Sequence, residues 1–166
     1  YGSNGVYTLT GNTTWNTSRK IKEKVIVPSG VTLTITGSST VISFASSDHV
    51  YDFSNFDATG ADGLKIGIVV EPNGKLIVQS GATLQGLAYT PCSSSSTNNR
   101  FMWDGIVVKG NPSLPQTLAN QGYVSISQST IKDARFAVEV ADARTRYETT
   151  PTTTYVIVGG NYEWTH

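Results

Sequence analysis

Residues 25–44 read VIVPSGVTLTITGSSTVISF and contain three short apolar runs, at residues 25–27, 31–35 and 41–44. In the second and third runs apolar and polar residues alternate, which is the pattern of a β-strand with one buried face. Gly30 and Gly37 separate the runs by only a few residues, so single bends rather than hairpin turns connect them. The stretch predicts three consecutive strands that do not fold back on one another.

The same pattern returns further along the chain. Residues 25–30 match residues 69–74 in their Val, Pro and Gly positions, which gives an offset of 44 residues. A third copy occupies residues 122–131, at an offset of 48 from Gly74. The remaining strand candidates are residues 67–70, their echo at residues 105–108, and residues 155–161.

Recurring units of short strands, each unable to bury a face alone, are typical of solenoids. Three strands within roughly 20 to 25 residues fit one rung of a parallel β-helix. Inserted loops then stretch the period to 44. We therefore predict one all-β domain over residues 1–166, a parallel β-helix with a polar N-terminal cap at 1–24 and rungs over 25–166. The usual crossover rule favours a right-handed helix. The predicted loops cover residues 45–63, 89–100, 110–121 and 144–154.

Charge is sparse and balanced. The chain has 12 Lys and Arg against 12 Asp and Glu, and charged residues make up 14% of it, whereas about 25% is usual. Thr, Ser, Gly and Asn supply 66 of the 166 residues, so good helix formers are scarce and a helical bundle is excluded. Nucleic acid and anionic membranes call for a basic face, so we expect neither as a main partner.

The single cysteine, Cys92, excludes an internal disulfide and a zinc site made of cysteines. A Thr- and Ser-rich, Lys-poor composition still suits an extracellular or cell-surface protein. No signal peptide is visible, and the longest apolar runs, such as residues 66–70, are too short to span a bilayer. The last strand candidate has no polar cap after it, so we expect a fragment of a larger secreted protein or a last rung that stacks against something else.

The repeats resemble right-handed parallel β-helix regions of large secreted proteins of the Bacteroidetes type, in the pectin-lyase-like class. The resemblance covers residues 14–140 and rests on the following segments: residues 14–15, 25–35, 74–84, 103–108 and 122–134. It implies the fold and an extracellular location, often reached by the type 9 secretion route. That class contains polysaccharide lyases, hydrolases, adhesins and stalks, so the resemblance leaves the activity open.

An acidic segment is the candidate metal site. Calcium takes six to eight oxygen ligands, which carboxylates and carbonyls of one loop can supply. The spacing does not match an EF-hand, and a solvated loop explains the same residues. The candidate ligands for Ca²⁺ are Asp48, Asp52, Asp57 and Asp62.

Aromatic residues near two loops are candidates for stacking on sugar rings, and the alternative is that they seal the side of the helix. Trp103 precedes a strand candidate and is expected to pack against the core instead. Phe101 flanks the Ser-rich loop. The candidate carbohydrate-binding residues are Tyr51, Phe53, Phe56 and Tyr89.

A β-helix lyase or glycoside hydrolase needs a base or paired carboxylates on one strand face. Asp133 and Arg135 are two residues apart and would share a face of a strand, where they form a surface ion pair as readily as a site. No Asp pair or His lies on a strand candidate, so we name no catalytic residue. The other strand acids and bases are Glu71, Asp104, Lys109, Lys132 and Glu139.

The leading expectation is a non-enzymatic extracellular structural or adhesive segment. The alternative is a carbohydrate-active β-helix that binds or cleaves a polysaccharide, or a glycan of a host or cell surface.

Overall fold

In the computed structural model, residues 5–45, 66–88, 99–111, 113–115 and 117–140 are described in full, and residues 161–165 by their backbone. The described residues form only strands and turns, so the all-β prediction is confirmed. The strands are β1 (Val6–Thr8), β2 (Thr13–Trp15), β3 (Arg19–Ile21), β4 (Lys24–Val27), β5 (Thr32–Thr36), β6 (Val41–Phe44), β7 (Gly67–Val70), β8 (Lys75–Gln79), β9 (Thr83–Gly86), β10 (Trp103–Val108), β11 (Tyr123–Ser127), β12 (Thr130–Ile131), β13 (Ala134–Glu139) and β14 (Asn161–Thr165).

Each strand pairs, in parallel, with the strand three places further along the chain. Three sheets result: sheet 1 has the order β1-β4-β7-β10-β13, sheet 2 the order β14-β11-β8-β5-β2, and sheet 3 the order β12-β9-β6-β3. The paired residues are far apart in sequence, since Val6 pairs with Lys24 and Lys75 pairs with Tyr123. Parallel strands in three sheets are what the repeats predicted.

One hydrophobic core joins the three sheets. Alternate residues point inward, as in β5, where Leu33 and Ile35 are fully buried and the threonines between them are not. The inward residues of neighbouring strands lie in register, so Leu33 aligns with Leu76 and then with Val124. Buried side chains from all three sheets belong to a single cluster. The period-two pattern of the sequence therefore fixes which face of β4, β5, β6 and β11 is buried, whereas β7 is buried on both faces.

Strands β1, β2 and β3 lie at one end of their sheets. Trp15 of β2 is 1% exposed there, and the guanidinium of Arg19 lies 5.3 Å from the centre of its ring system. Leu9 is also buried in this layer. Trp15 at the end of β2, Leu9 after β1 and the guanidinium of Arg19 therefore lie over the core where the sheets stop. The predicted polar cap, residues 1–24, contains these three strands.

The pairing offset between the first two copies differs by one residue from the offset at which their residue types match. Thr32 pairs with Lys75, so the pairing offset is 43 residues rather than 44. The two copies are aligned by equivalent backbone conformation and not by matching residue types. Gly30 has a φ of +76° and donates its N–H to the carbonyl of Asn73, which has a φ of +64°. Asn is among the residues that tolerate this left-handed conformation, so Asn73 takes the place that Gly30 holds in the first copy.

Later registers follow the sequence repeats directly. Gly105 pairs with Gly67 as the echo predicted, and the offset of 48 in sheet 2 is confirmed. The last strand candidate, residues 155–161, shares only Asn161 with the observed strand β14. The rest of the candidate lies outside the described residues.

A bulge interrupts sheet 1 between β10 and β13. Gly105 pairs with Phe136, but the next residue, Ile106, pairs with Val138, so Ala137 is the extra residue. Gly105 has a φ of +100°, and a Cβ atom there would lie 1.6 Å from the carbonyl oxygen of Phe136. Only glycine fits this position, since the strand backbone passes through the space a side chain would need.

Candidate functional site

The outer side of sheet 2 is rich in hydroxyl groups. Its residues alternate with the buried core residues of β5, β8 and β11, so they point away from the core. We call this surface the hydroxyl face. Its central column is Thr14, Thr34, Ile77 and Ser125, and the column beside it is Thr32, Lys75 and Tyr123.

The side chains of the hydroxyl face are regularly spaced. Neighbouring strands of a sheet are about 4.8 Å apart, so the side chains of one column repeat at that distance. The pairing from β2 to β14 contains no register shift, unlike the bulged pairing in sheet 1. The result is an even array rather than a pocket.

The chemistry of the hydroxyl face is almost neutral. Lys75 is the one ammonium or carboxylate group among the seven residues named, and the register continues the central column from Ser125 to Glu163 of β14. Thr and Ser hydroxyls both donate and accept hydrogen bonds, and Tyr123 adds an aromatic ring with a phenolic hydroxyl. Groups of this kind are suited to hydrogen bonding with uncharged polyhydroxyl molecules.

Acidic and basic residues beside the described strands form ion pairs. Glu71 follows β7 and Lys109 follows β10, and their side chains form an ion pair with an Nζ–Oε1 distance of 3.2 Å. Each of these side chains is about a third exposed, at 32% and 30%. This pair joins neighbouring strands at one corner of the fold.

The predicted ion pair between Asp133 and Arg135 is not formed. Asp133 has a φ of +58° and precedes β13, so the two residues do not occupy alternate positions of one strand. Its carboxylate lies 3.8 Å from Nε of Arg100 and accepts a hydrogen bond from the N–H of Gly86. The guanidinium of Arg135 lies over the ring of Phe136 instead.

Trp103 packs in the core, as predicted. Its side chain is fully buried, and its indole N–H donates a hydrogen bond to the carbonyl of Lys132 at 2.9 Å. Phe101 is half-buried, and its N–H donates to the carbonyl of Leu87.

Gln121 is an organising residue that no sequence pattern selects. It is fully buried, and its amide nitrogen lies within hydrogen-bond distance of three carbonyl oxygens, those of Asn111, Leu114 and Pro115. Its amide oxygen accepts from the N–H of Asn111. At the base of this loop the N–H of Gly122 donates to the carbonyl of Lys109. One side chain thus holds the connection between β10 and β11.

The structure does not describe the ligand residues that the sequence predicts. All four candidate carbohydrate-binding aromatics, Tyr51, Phe53, Phe56 and Tyr89, lie outside the described residues. So do the four candidate calcium ligands, Asp48, Asp52, Asp57 and Asp62. In the part of the chain that the structure describes, no three His, Cys, Asp or Glu residues are grouped so that they could hold a metal ion. The calcium site therefore stays a prediction.

Comparison with known proteins gives no match to a family model, to a curated protein or to a solved structure. The described segments include no helix with the length and apolar character needed to cross a membrane. The function must therefore be argued from the sheets and their faces.

Proposed function

We propose that this chain is a non-enzymatic, extracellular structural or adhesive segment, built as a right-handed parallel β-helix of the pectin-lyase-like kind. Its partner in adhesion is a neutral polysaccharide that lies on the hydroxyl face. The observation that carries the proposal is the even, nearly uncharged array of Thr14, Thr34, Ser125 and their neighbours on sheet 2.

The winding of the strands supports the β-helix. Successive strands along the chain belong to sheets 1, 2 and 3 in a repeating order, and their inward-pointing residues share one core. A chain that visits three sheets in turn advances by one strand spacing, about 4.8 Å, in each circuit. Parallel crossovers are right-handed in nearly all proteins, which favours that hand here.

A continuous core supports the structural role. Each added circuit buries a further layer of apolar side chains against the layer before it, so such a segment is stiff along its length. A stiff segment keeps what is attached to its ends apart and holds its outer faces in fixed positions.

The hydroxyl face supports the adhesive role. A polysaccharide chain offers hydroxyl groups at regular intervals, and a rigid array of Thr and Ser hydroxyls meets them at little conformational cost. The ring of Tyr123 and the side chain of Ile77 provide apolar contact for the faces of sugar rings.

Binding to an array of insoluble and soluble neutral polysaccharides tests the proposal. The variant pair Thr34→Arg with Ser125→Arg adds two charged side chains beside Ile77, and we expect it to lose binding at least tenfold. The matched control is Ser43→Arg with Thr83→Arg on the outer side of sheet 3, where binding should stay within twofold.

Two results would contradict the proposal. Equal binding by both variants would show that the hydroxyl face does not bind the polysaccharide. Release of reducing ends or unsaturated sugars by the chain would show that it is a polysaccharide hydrolase or lyase. The array is run with calcium and with chelator, and dependence on calcium would point to the Asp48, Asp52, Asp57 and Asp62 ligands.

A further inference from the structure

Positive charge is concentrated in one short part of an otherwise sparsely charged chain. Residues 19–24 read RKIKEK and hold four of the 12 Lys and Arg. Arg19 and Lys20 belong to β3, the outermost strand of sheet 3, and Lys22 follows it. All three side chains are exposed, and we call them the basic edge.

Little on the neighbouring strands offsets this charge. Strand β3 pairs with β6, Val41–Phe44, which has no ionisable side chain, and β2 before it has none either. Glu23, half-buried, is the one carboxylate within the run. Among the described residues, none of the three cations of the basic edge forms an ion pair. Counted over the described residues, the basic edge therefore has a local excess of positive charge, although the whole chain is neutral.

The strand holds these cations in place. Strand β3 is in register with β6, so Lys20 lies beside Ser43 on the outer side of sheet 3. Arg19 is positioned over Trp15 at 5.3 Å, where the aromatic ring attracts the guanidinium. Two of the three charges thus lie on a rigid element instead of on a free loop.

We propose that the basic edge binds an anionic polysaccharide through its sulfate or carboxylate groups. This ligand differs from the neutral polysaccharide of the hydroxyl face, and it binds to a different sheet. A strand of three residues is about 10 Å long, a width that suits one polysaccharide chain. Stacking on bases is a main source of single-stranded nucleic acid affinity, and Trp15 is too deeply buried for it.

Charged residues on an edge strand have another role, because they keep the edge from pairing with a second copy. Charge reversal separates the two roles. The substitutions Lys20→Glu and Lys22→Glu keep the edge charged, so they preserve protection against pairing, but they repel a polyanion.

The test measures binding of the whole chain to immobilised dextran sulfate, with unsulfated dextran beside it, at low and at physiological salt. We expect binding to dextran sulfate alone, and weaker binding at physiological salt because salt screens exposed charges. The variant Lys20→Glu with Lys22→Glu should bind at least about tenfold more weakly. The control Lys132→Glu with Arg135→Glu alters the net charge equally, at exposed basic residues elsewhere, and should bind within about threefold of the parent.

Three outcomes would overturn the proposal. Equal loss in both variants would show that only net charge matters, and no loss in either would place the polyanion elsewhere. Tighter binding of a short DNA duplex than of dextran sulfate would assign the basic edge to nucleic acid. Light scattering and circular dichroism confirm that each variant is monomeric and folded. Failure of this test leaves binding of neutral polysaccharide untouched, because that binding uses the hydroxyl face.

Discussion

The ring of Trp103 lies parallel to the ring of Phe44, with 4.1 Å between their centroids and 6° between their planes. Phe44 of β6 aligns with Gly86 of β9, which has no side chain to continue the column. Trp103, at the start of β10, stacks on Phe44 instead. The aromatic pair therefore links sheet 3 to sheet 1 inside the core.

Trp103→Ala should destabilise the protein more than any exposed substitution. It removes a fully buried indole, its stacking on Phe44 and its hydrogen bond to Lys132. We expect a loss of about 3 to 5 kcal/mol in the free energy of unfolding, measured in urea. Phe136→Ala, at a ring that is 53% exposed, is the control and should cost less than about 1 kcal/mol. Similar losses for both would contradict the role of the aromatic pair.

Gly105→Ala should disrupt the bulge in sheet 1. The new Cβ would collide with the carbonyl of Phe136, and the φ of +100° is itself unfavourable for alanine. We expect a cost above about 2 kcal/mol in urea unfolding. Gly11→Ala is the control, because nothing lies within 4 Å of a Cβ atom there and φ is not in the left-handed range. A Gly105→Ala protein as stable as the parent would show that the bulge is not required.

Gln121→Leu should loosen the connection between β10 and β11. The substitution keeps the bulk of the side chain but removes the amide donor beside the carbonyls of Asn111, Leu114 and Pro115 and the acceptor of the Asn111 N–H. The carbonyls of Asn111 and Pro115 keep backbone N–H donors, those of Leu114 and Thr117. Buried groups that lose their partners cost about 1 to 3 kcal/mol. We expect a loss of that size, together with faster proteolytic cleavage between residues 110 and 121. Thr117→Ala, exposed in the same loop, should change neither. Unchanged cleavage in Gln121→Leu would contradict the prediction.

The ion pair between Glu71 and Lys109 should contribute little to stability. Both side chains are about a third exposed, so water and salt screen their attraction. A double-mutant cycle with Glu71→Gln and Lys109→Met should give a coupling energy below about 1 kcal/mol. The coupling should shrink further at high salt. A coupling energy above about 2 kcal/mol that persists at high salt would contradict this prediction, because exposed ion pairs contribute less than that to stability.

The strands were largely predictable because their pattern is local. Alternation over residues 31–35 and 41–44 marks the buried faces of β5 and β6, and the structure places both strands there. The match of residues 67–70 with 105–108 also gives the pairing of β7 with β10. The first pattern exists because a strand that buries one face alternates, whereas β7 is buried throughout and is recognisable only from its repeat in β10.

Other features depend on contacts that no local pattern records. The pairing offset of 43 residues follows from the left-handed backbone conformation that Gly30 and Asn73 share, which the residue types alone do not reveal. Asp133 pairs with Arg100, which lies before β10, instead of with the nearby Arg135. Gln121 looks like any polar loop residue, and only the arrangement of carbonyls around it explains its burial.

The spacing of strand partners has a consequence for how the chain folds. Closing a longer loop costs more entropy, so the partners nearest in sequence meet at the lowest cost. These are Val6 with Lys24, Thr13 with Leu33 and Arg19 with Ile42, and all of them belong to β1 to β6. Folding should therefore nucleate among these strands and propagate toward the carboxyl end. A ribosome delivers the amino-terminal strands first, so synthesis and nucleation proceed in the same direction.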